Sequence, residues 1–273
     1  MNTNDTNTFQ PKFILSDRKV RLFIFLGGFF IANALVAELI GVKIFALEPT
    51  LGKDPWDFEL FGQKGALQFS AGVLLWPVVF IMTDIINEYY GKRGVRMLSF
   101  LTVGLIGFAF VAIFGSIQLA PADWWQSQNV SKGVPSMQTA FEVIFGQGML
   151  IIIGSITAFL AAQLVDVSVF HWLKKYTGEK SIWVRATGST VISQLFDSFV
   201  VLAIAFKWGP ELTGASNPMT WSLLFSVATV QYIYKFTMAV VLTPVLYLAH
   251  HWIDRYLGDD AAKHLKQEAA IWK

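Results

Sequence analysis

The sequence predicts an all-α integral membrane protein of six transmembrane helices, with its N- and C-termini cytoplasmic. Three observations predict it. The 273 residues are 54% hydrophobic and only 15% charged, against about 25% charged in a soluble domain, and mean hydropathy is +0.51. A chain this poor in charge has too little polar surface to cover itself in water, so its solvent is lipid. Six apolar segments, near 22–46, 66–90, 96–119, 143–170, 184–206 and 221–249, are long enough for a hydrocarbon core that needs about 20 helical residues. Barrel strands would be about 10 residues long with alternating polarity. Fifteen Lys and Arg fall at the two termini and in the loops after helices two and four, and four fall in the other loops. That asymmetry places the basic side in the cytoplasm.

Residues 1–20 are polar and lack the apolar core of a signal peptide, so the first span serves as its own insertion signal. It carries Asn33 and Glu38. Helix two brings Asp84, Asn87 and Glu88 into an apolar run and stops at Gly91, with Lys92, Arg93 and Arg96 behind it. The loops at 47–65 and 120–141 contain Pro, Gly, Asp and Trp and read as ordered but irregular. Trp56, Trp124, Trp125, Trp208 and Trp221 suit the outer interface. Helix four holds Gln163 and Asp166, helix five Gln194 and Asp197, and helix six Gln231 and Lys235. The polar tail 255–273 carries a short helix from Asp260 to Trp272. Residues 21–254 therefore form a single membrane domain between two cytoplasmic ends.

Ionisable groups inside a span are costly, so each is a functional-site hypothesis with a partner to be found. AQLVD at 162–166 and SQLFD at 193–197 repeat one pattern, and a Gln and an Asp three apart share a helix face. At about 1.5 Å rise per residue, Asp84, Gln163 and Gln194 sit about 12–14 Å above the basic boundary. Asn33 and Asp197 reach about 18 Å, and Lys235 lies near the midplane. Polar groups from several helices at one depth are how transporters build a substrate site. The plainer reading makes Asp197–Lys235 a neutralised structural pair, lets Glu88 bond Arg93 or backbone, and lets Glu38 and Lys43 snorkel outward. Asp166 could instead brace the turn between helices four and five.

Carboxylates and primary amides at one level suit a small, flat, hydrogen-bonding ligand stacked on aromatic faces. Such a site recognises a ligand and transforms nothing. Net charge is +2 and no basic stripe alternates with aromatics, so nucleic acid is not expected as a partner. The absence of cysteine excludes disulfides and thiolate metal sites. His171, His250, His251 and His264 lie at or beyond the interface, and neither a nucleophile elbow nor a zinc motif occurs. TGEKS at 177–181 lacks the first glycine of a phosphate loop. No enzyme, cofactor or metal is expected.

TDIINEYYG in helix two, AQLVDVSVF in helix four, STVISQLFDSFVVLAIAF in helix five and QYIYKF in helix six together resemble the queuosine precursor transporter family, also called the vitamin uptake transporters. The likeness runs from about Arg21 to Asp254. It implies a bacterial inner-membrane protein of six helices importing 7-deazaguanines, the 7-cyano and 7-aminomethyl precursors of queuosine, for salvage into tRNA. Carried over residue by residue, it points to Asn33, Asp84, Gln163, Asp166, Gln194, Asp197 and Lys235 as substrate-binding. The chain departs from the family after YG, where it reads KRGVR. The related binding subunits of energy-coupling vitamin importers dock a partner through A-x-x-x-A in the first helix. Here Ala32, Ala34 and Ala37 never fall four apart, which favours a carrier working alone. Whether two copies pair as a homodimer is left open by the sequence.

Overall fold

The computed structural model describes residues 16–54, 56, 58–65, 67–146, 149–177, 182–214 and 218–271. Residues 1–15, Lys180, Trp272 and Lys273, all covered by the expectations above, lie outside the described residues. The helices are α1 (Arg18–Ile40), α2 (Trp76–Ile117), α3 (Met137–Phe145), α4 (Met149–Thr177), α5 (Ile182–Leu202), α6 (Trp221–Val241), α7 (Thr243–Leu257) and α8 (Asp259–Ile271). One-turn helices occupy Leu47–Thr50, Asp123–Gln126 and Gly209–Thr213. Five stretches among the described residues are long and apolar enough to cross a membrane: Arg18–Ile40, Ala71–Ile117, Ile152–Thr177, Val184–Leu212 and Trp221–Val241. The protein is an all-α membrane protein.

The 47-residue stretch is not one straight rod. Gly91 has φ 68 and ψ −172, a region open essentially to glycine alone. The packing of α4 shows what happens there. Asn87 bonds His171 and Glu88 bonds Lys174, while Thr83 lies against Gln163 farther up α4. Beyond Gly91 the order reverses: Ser99 lies beside Gln163 and Val167, and Ile106 and Phe110 cluster with Ile152. The two halves of α2 thus run in opposite directions along one neighbour, and the chain doubles back at Gly91. α1 lies along the second half, with Phe23 on Tyr90 and Gly27 against Leu98.

The other helices differ from the sequence expectation at their ends, for local reasons. The span expected over 221–249 breaks at Leu242, because Pro244 sits in the first turn of α7 and cannot continue α6. α5 runs into a π-helical segment, Ala203–Trp208. The span expected to start at residue 66 begins with a 3₁₀ turn, Ala71–Leu74, and α2 proper starts at Trp76 with Pro77 in its first turn.

The first span, expected to run to residue 46, ends at Ile40, and short strands flank and occupy the 47–65 loop. β1 (Ile44–Ala46) pairs antiparallel with β4 (Gln68–Ser70), Phe45 opposite Phe69. β2 (Phe58–Leu60) and β3 (Gln63–Gly65) form a hairpin whose two-residue turn, Phe61 and Gly62, has φ 51 and 74, the left-handed pair a type I′ turn demands. The hairpin is tied to the start of α6 by Gln63 Nε2 on Ser222 Oγ (3.5 Å) and Ser222 Oγ on the Phe61 carbonyl (2.5 Å). These strands mark the end of the bundle opposite Gly91.

At the Gly91 end, α8 closes under the bundle with Ala262, Leu265 and Ala269 buried. A Cβ at Gly91 would lie 2.8 Å from the Ala269 carbonyl oxygen, so the turn in α2 and the docking of α8 need the same glycine. One apolar cluster joins α1, both halves of α2, α4, α5, α7 and α8 around Phe30, Ile86, Phe159 and Phe170.

Candidate functional site

α5 supplies the polar face on which the interior is built. Arg185, Ser189 and Ser193 recur at four-residue spacing, with Ala186, Thr190 and Gln194 one position on; the two rows are neighbours on one side of the helix. Arg185, Ser189, Thr190, Ser193, Gln194 and Ser198 are all buried. Opposite them, the first half of α2 buries Thr83, Asp84, Asn87 and Glu88.

Asp84 and Gln194 line one cavity. Its other walls are Phe80 and Ile81 of α2, Ala186, Thr187 and Thr190 of α5, Lys235 and Ala239 of α6, and Leu242, Thr243 and Leu246 at the α6–α7 break. Thr190 Oγ1 donates to Asp84 Oδ2 at 3.5 Å. Oδ1 of Asp84 and both polar atoms of the Gln194 amide are buried without a protein partner. Leaving such atoms unmatched costs about 1–3 kcal/mol each, a cost accepted mainly where something else binds. The free interior is about 20 Å³, room for a water molecule or two but not a fused bicyclic ring.

The remaining residues singled out by the sequence fall in three places. Lys235 Nζ donates to Asp197 Oδ2, so the pair expected from their common depth is made, and Lys235 also forms cavity wall. Asp166 and Gln163 lie behind the wall. Ser193 Oγ donates to Asp166 Oδ1 at 3.1 Å. Gln163 lies against Thr83, at 3.1 Å, and borders a second, narrower crevice with Arg96 and Ser99. Asn33 is not brought in: its amide donates to the Phe29 carbonyl of its own helix at 2.8 Å. The hollow expected between Asp84, Gln163 and Gln194 therefore holds two of the three.

Two sets of partners differ from those expected from sequence. Glu88 bonds neither Arg93 nor backbone in the way expected; it takes Arg185 at 3.1 Å and Lys174 at 3.2 Å, with Arg185 wholly buried. By sequence Arg185 falls among the basic residues that follow helix four, and only its four-residue spacing to Ser189 and Ser193 marks it as interior. Glu38 does not snorkel: it is buried and accepts from Ser155. The α5 hydroxyls of Ser189, Thr190 and Ser193 have only their spacing along the helix to mark them in the sequence, and Thr83 of α2 has no mark at all.

The NEYYG run at 87–91 is a set of ties at one end of the bundle. Asn87 Oδ1 meets His171 Nε2 at 2.8 Å, and Tyr90 Oη donates to the Lys19 carbonyl at 2.7 Å. Tyr89 Oη donates to Asp254 Oδ1 at 2.7 Å, and Lys266 holds the other oxygen at 2.8 Å. With the tyrosine proton committed to Asp254, His250 Nδ1, 3.1 Å away, donates to Tyr89 Oη. Burial pushes the His250 imidazole down to about 4. On the opposite end, the Leu67 N–H on Glu48 Oε1 (3.0 Å) holds that carboxyl below its usual range.

Comparison with known proteins adds to this geometry. Residues 70–249 match the model of a family described as "Putative vitamin uptake transporter". A Bacillus subtilis (strain 168) protein named "Probable queuosine precursor transporter" is 31% identical over 196 residues, 71% of this chain and 76% of that protein. The chain belongs to the queuosine precursor transporter family. A Haemophilus influenzae member of the same name is 27% identical over 171 residues, 63% of each chain. No solved structure matches. The family is one of transporters, not enzymes, in keeping with a site built from amides, hydroxyls and carboxylates. The residues matched by the family model hold the whole cavity and all of the NEYYG run.

Proposed function

We propose that this transporter imports 7-deazaguanines, the 7-cyano and 7-aminomethyl compounds, across the bacterial inner membrane for queuosine salvage. The observation that carries the reading is the cavity shared by Asp84 and Gln194, whose buried polar atoms lack protein partners. An ionised carboxylate accepts two hydrogen bonds from an N–H beside an NH₂, as on the guanine-like edge. A primary amide complements a ring carbonyl beside a ring N–H. Phe80 supplies an aromatic wall for the ring. The names carried by the two curated relatives support the substrate class.

The chain crosses six times with both termini cytoplasmic. Two crossings by α2 fit the reversal at Gly91, since 42 residues of straight helix would reach about 63 Å, about twice the hydrocarbon thickness. The Gly91 end carries Lys92, Arg93, Lys174, Arg185 and Lys266, the basic side of the molecule. The same end is shut by Glu88, one turn below Asp84, through its ion pairs to α4 and α5. Release inward needs that network to part and the cavity walls on α2, α5 and α6 to separate enough for a bicyclic ring.

A carrier working alone fits the first helix better than a subunit docked to an energising partner. Ala34 and Ala37 are 0% and 1% exposed, so they are spent inside the fold. The test is uptake of radiolabelled 7-cyano-7-deazaguanine into liposomes holding the purified protein alone. Saturable uptake supports the reading. Uptake no faster than in empty liposomes contradicts it.

A further inference from the structure

Asp84 and Asp166 reach the same stretch of α5 from two sides. Asp84 comes from α2 and takes Thr190; Asp166 comes from α4 and takes Ser193. Ser189, one turn below Ser193, stands next to both carboxyls. Asp84 is 3% exposed and Asp166 0%. Asp84 Oδ1 and Asp166 Oδ2 have no protein donor, and no Lys or Arg among the described residues bonds either group. The charges that face the pair are already engaged: Glu88 with Arg185 and Lys174, and Lys235 with Asp197. Gln194, on the same α5 face, has both amide atoms unpartnered and lines the cavity with Asp84. Two buried carboxyls converge on one turn of α5 with only hydroxyls between them, an arrangement that holds one proton between two groups for as long as the site stays dry.

We infer that Asp84 and Asp166 form a proton-binding site that couples transport to the proton gradient, taking up one proton from outside with each substrate and releasing it inside. This rests on the function proposed above and adds its energy source. In the proton-loaded state one member of the pair is a carboxylic acid and the other an anion. The ligand's N–H and NH₂ donors hold Asp84, the member in the cavity wall, as the anion, which leaves the proton on Asp166. When the cavity opens inward and the ligand leaves, water takes its place beside Asp84, the hydrated pair holds both charges, and the proton departs; the empty carrier returns outward with water in the cavity. Ser189, Thr190 and Ser193 offer the hydroxyl chain for its transfer between the two.

The test uses the full chain in liposomes loaded with a pH-sensitive dye. An acidic exterior is expected to drive 7-cyano-7-deazaguanine at least several-fold above its outside concentration, with substrate-dependent acidification of the lumen. Asp166→Asn is expected to bind the ligand, shown by a thermal shift in detergent, yet to equilibrate it without responding to the gradient. Should that variant not fold, infrared spectra of the wild type decide: the proposal requires a protonated-carboxyl band at neutral pH. Ligand binding and uptake that ignore the gradient, with no such band, overturn the proton site and leave the proposed function standing. Failure of the wild type to bind or move the ligand overturns both.

Discussion

Glu88 holds the wholly buried Arg185 at 3.1 Å and Lys174 at 3.2 Å, tying three helices together one turn below the cavity that contains Asp84. Removing one partner of a buried ion pair strands the other, at about 3–5 kcal/mol. The chain has no cysteine, so a single reporter can be placed without background. In inside-out vesicles, a Thr187→Cys reporter in the cavity wall is expected to react several-fold faster with a membrane-impermeant thiol reagent when Glu88→Gln is added. Lys174→Gln, which leaves Glu88–Arg185 in place, should give a smaller increase. Equal rates in all three would mean that the network does not close the inner side.

Lys235 and Asp197 form the second interior ion pair, and its role can be separated from ligand binding. Lys235→Met alone should destabilise by about 3–5 kcal/mol, because Asp197 is left without its cation. The double replacement Asp197→Asn with Lys235→Met should recover much of that loss, as coupled neighbours do. Thermal unfolding in detergent of both singles and the double gives the coupling. Additive losses would show that the two side chains act independently.

Gly91→Ala meets two obstacles at once. The residue sits at φ 68, and its new Cβ would lie 2.8 Å from the Ala269 carbonyl oxygen. The backbone strain costs about 1–3 kcal/mol, and α8 must also shift. The expected outcome is a lowered unfolding temperature together with faster proteolysis of the C-terminal helix. An unchanged proteolysis pattern would mean that α8 does not rest on the turn.

Acid should loosen the same end. His250 is held neutral, with a folded pKa of about 4 against the ordinary 6.5. The unfolded chain therefore takes up a proton that the folded one refuses, and stability falls as pH drops from 6.5 toward 4. Its Nε2 is buried without a partner, so an added proton there has nowhere to go. His250→Gln should flatten the fall in unfolding temperature across that interval. A slope identical to the parent's would remove His250 as its cause.

How much of this was legible beforehand depended on periodicity and on partners. The apolar runs located the five long stretches but not α3 and α7 as separate helices, and Asp197 and Lys235, level by count, form the pair that the plainer reading expects. Gly91 was read as a stop, and its conformation makes it a reversal. Depth along a helix does not fix azimuth, however, so Gln163, level with Asp84, ends up facing Thr83 and a different crevice. Asn33 does not reach the cavity, because its amide is satisfied by its own helix. Arg185 was hidden because a positive charge near a helix start looks like a loop residue until its partner, Glu88, is known from another helix. The β2–β3 hairpin was hidden because Phe61 takes a left-handed φ that usually signals Gly, Asn or Asp.

In the proposed transporter the ligand occupies the cavity between Asp84 and Gln194. Ligand protection of single cysteines tests it most directly, comparing Thr187→Cys in that cavity with Ser99→Cys in the crevice beside Gln163. Saturating 7-cyano-7-deazaguanine should slow alkylation of the first several-fold and leave the second unchanged. Equal alkylation of Thr187→Cys with and without the ligand would contradict the account.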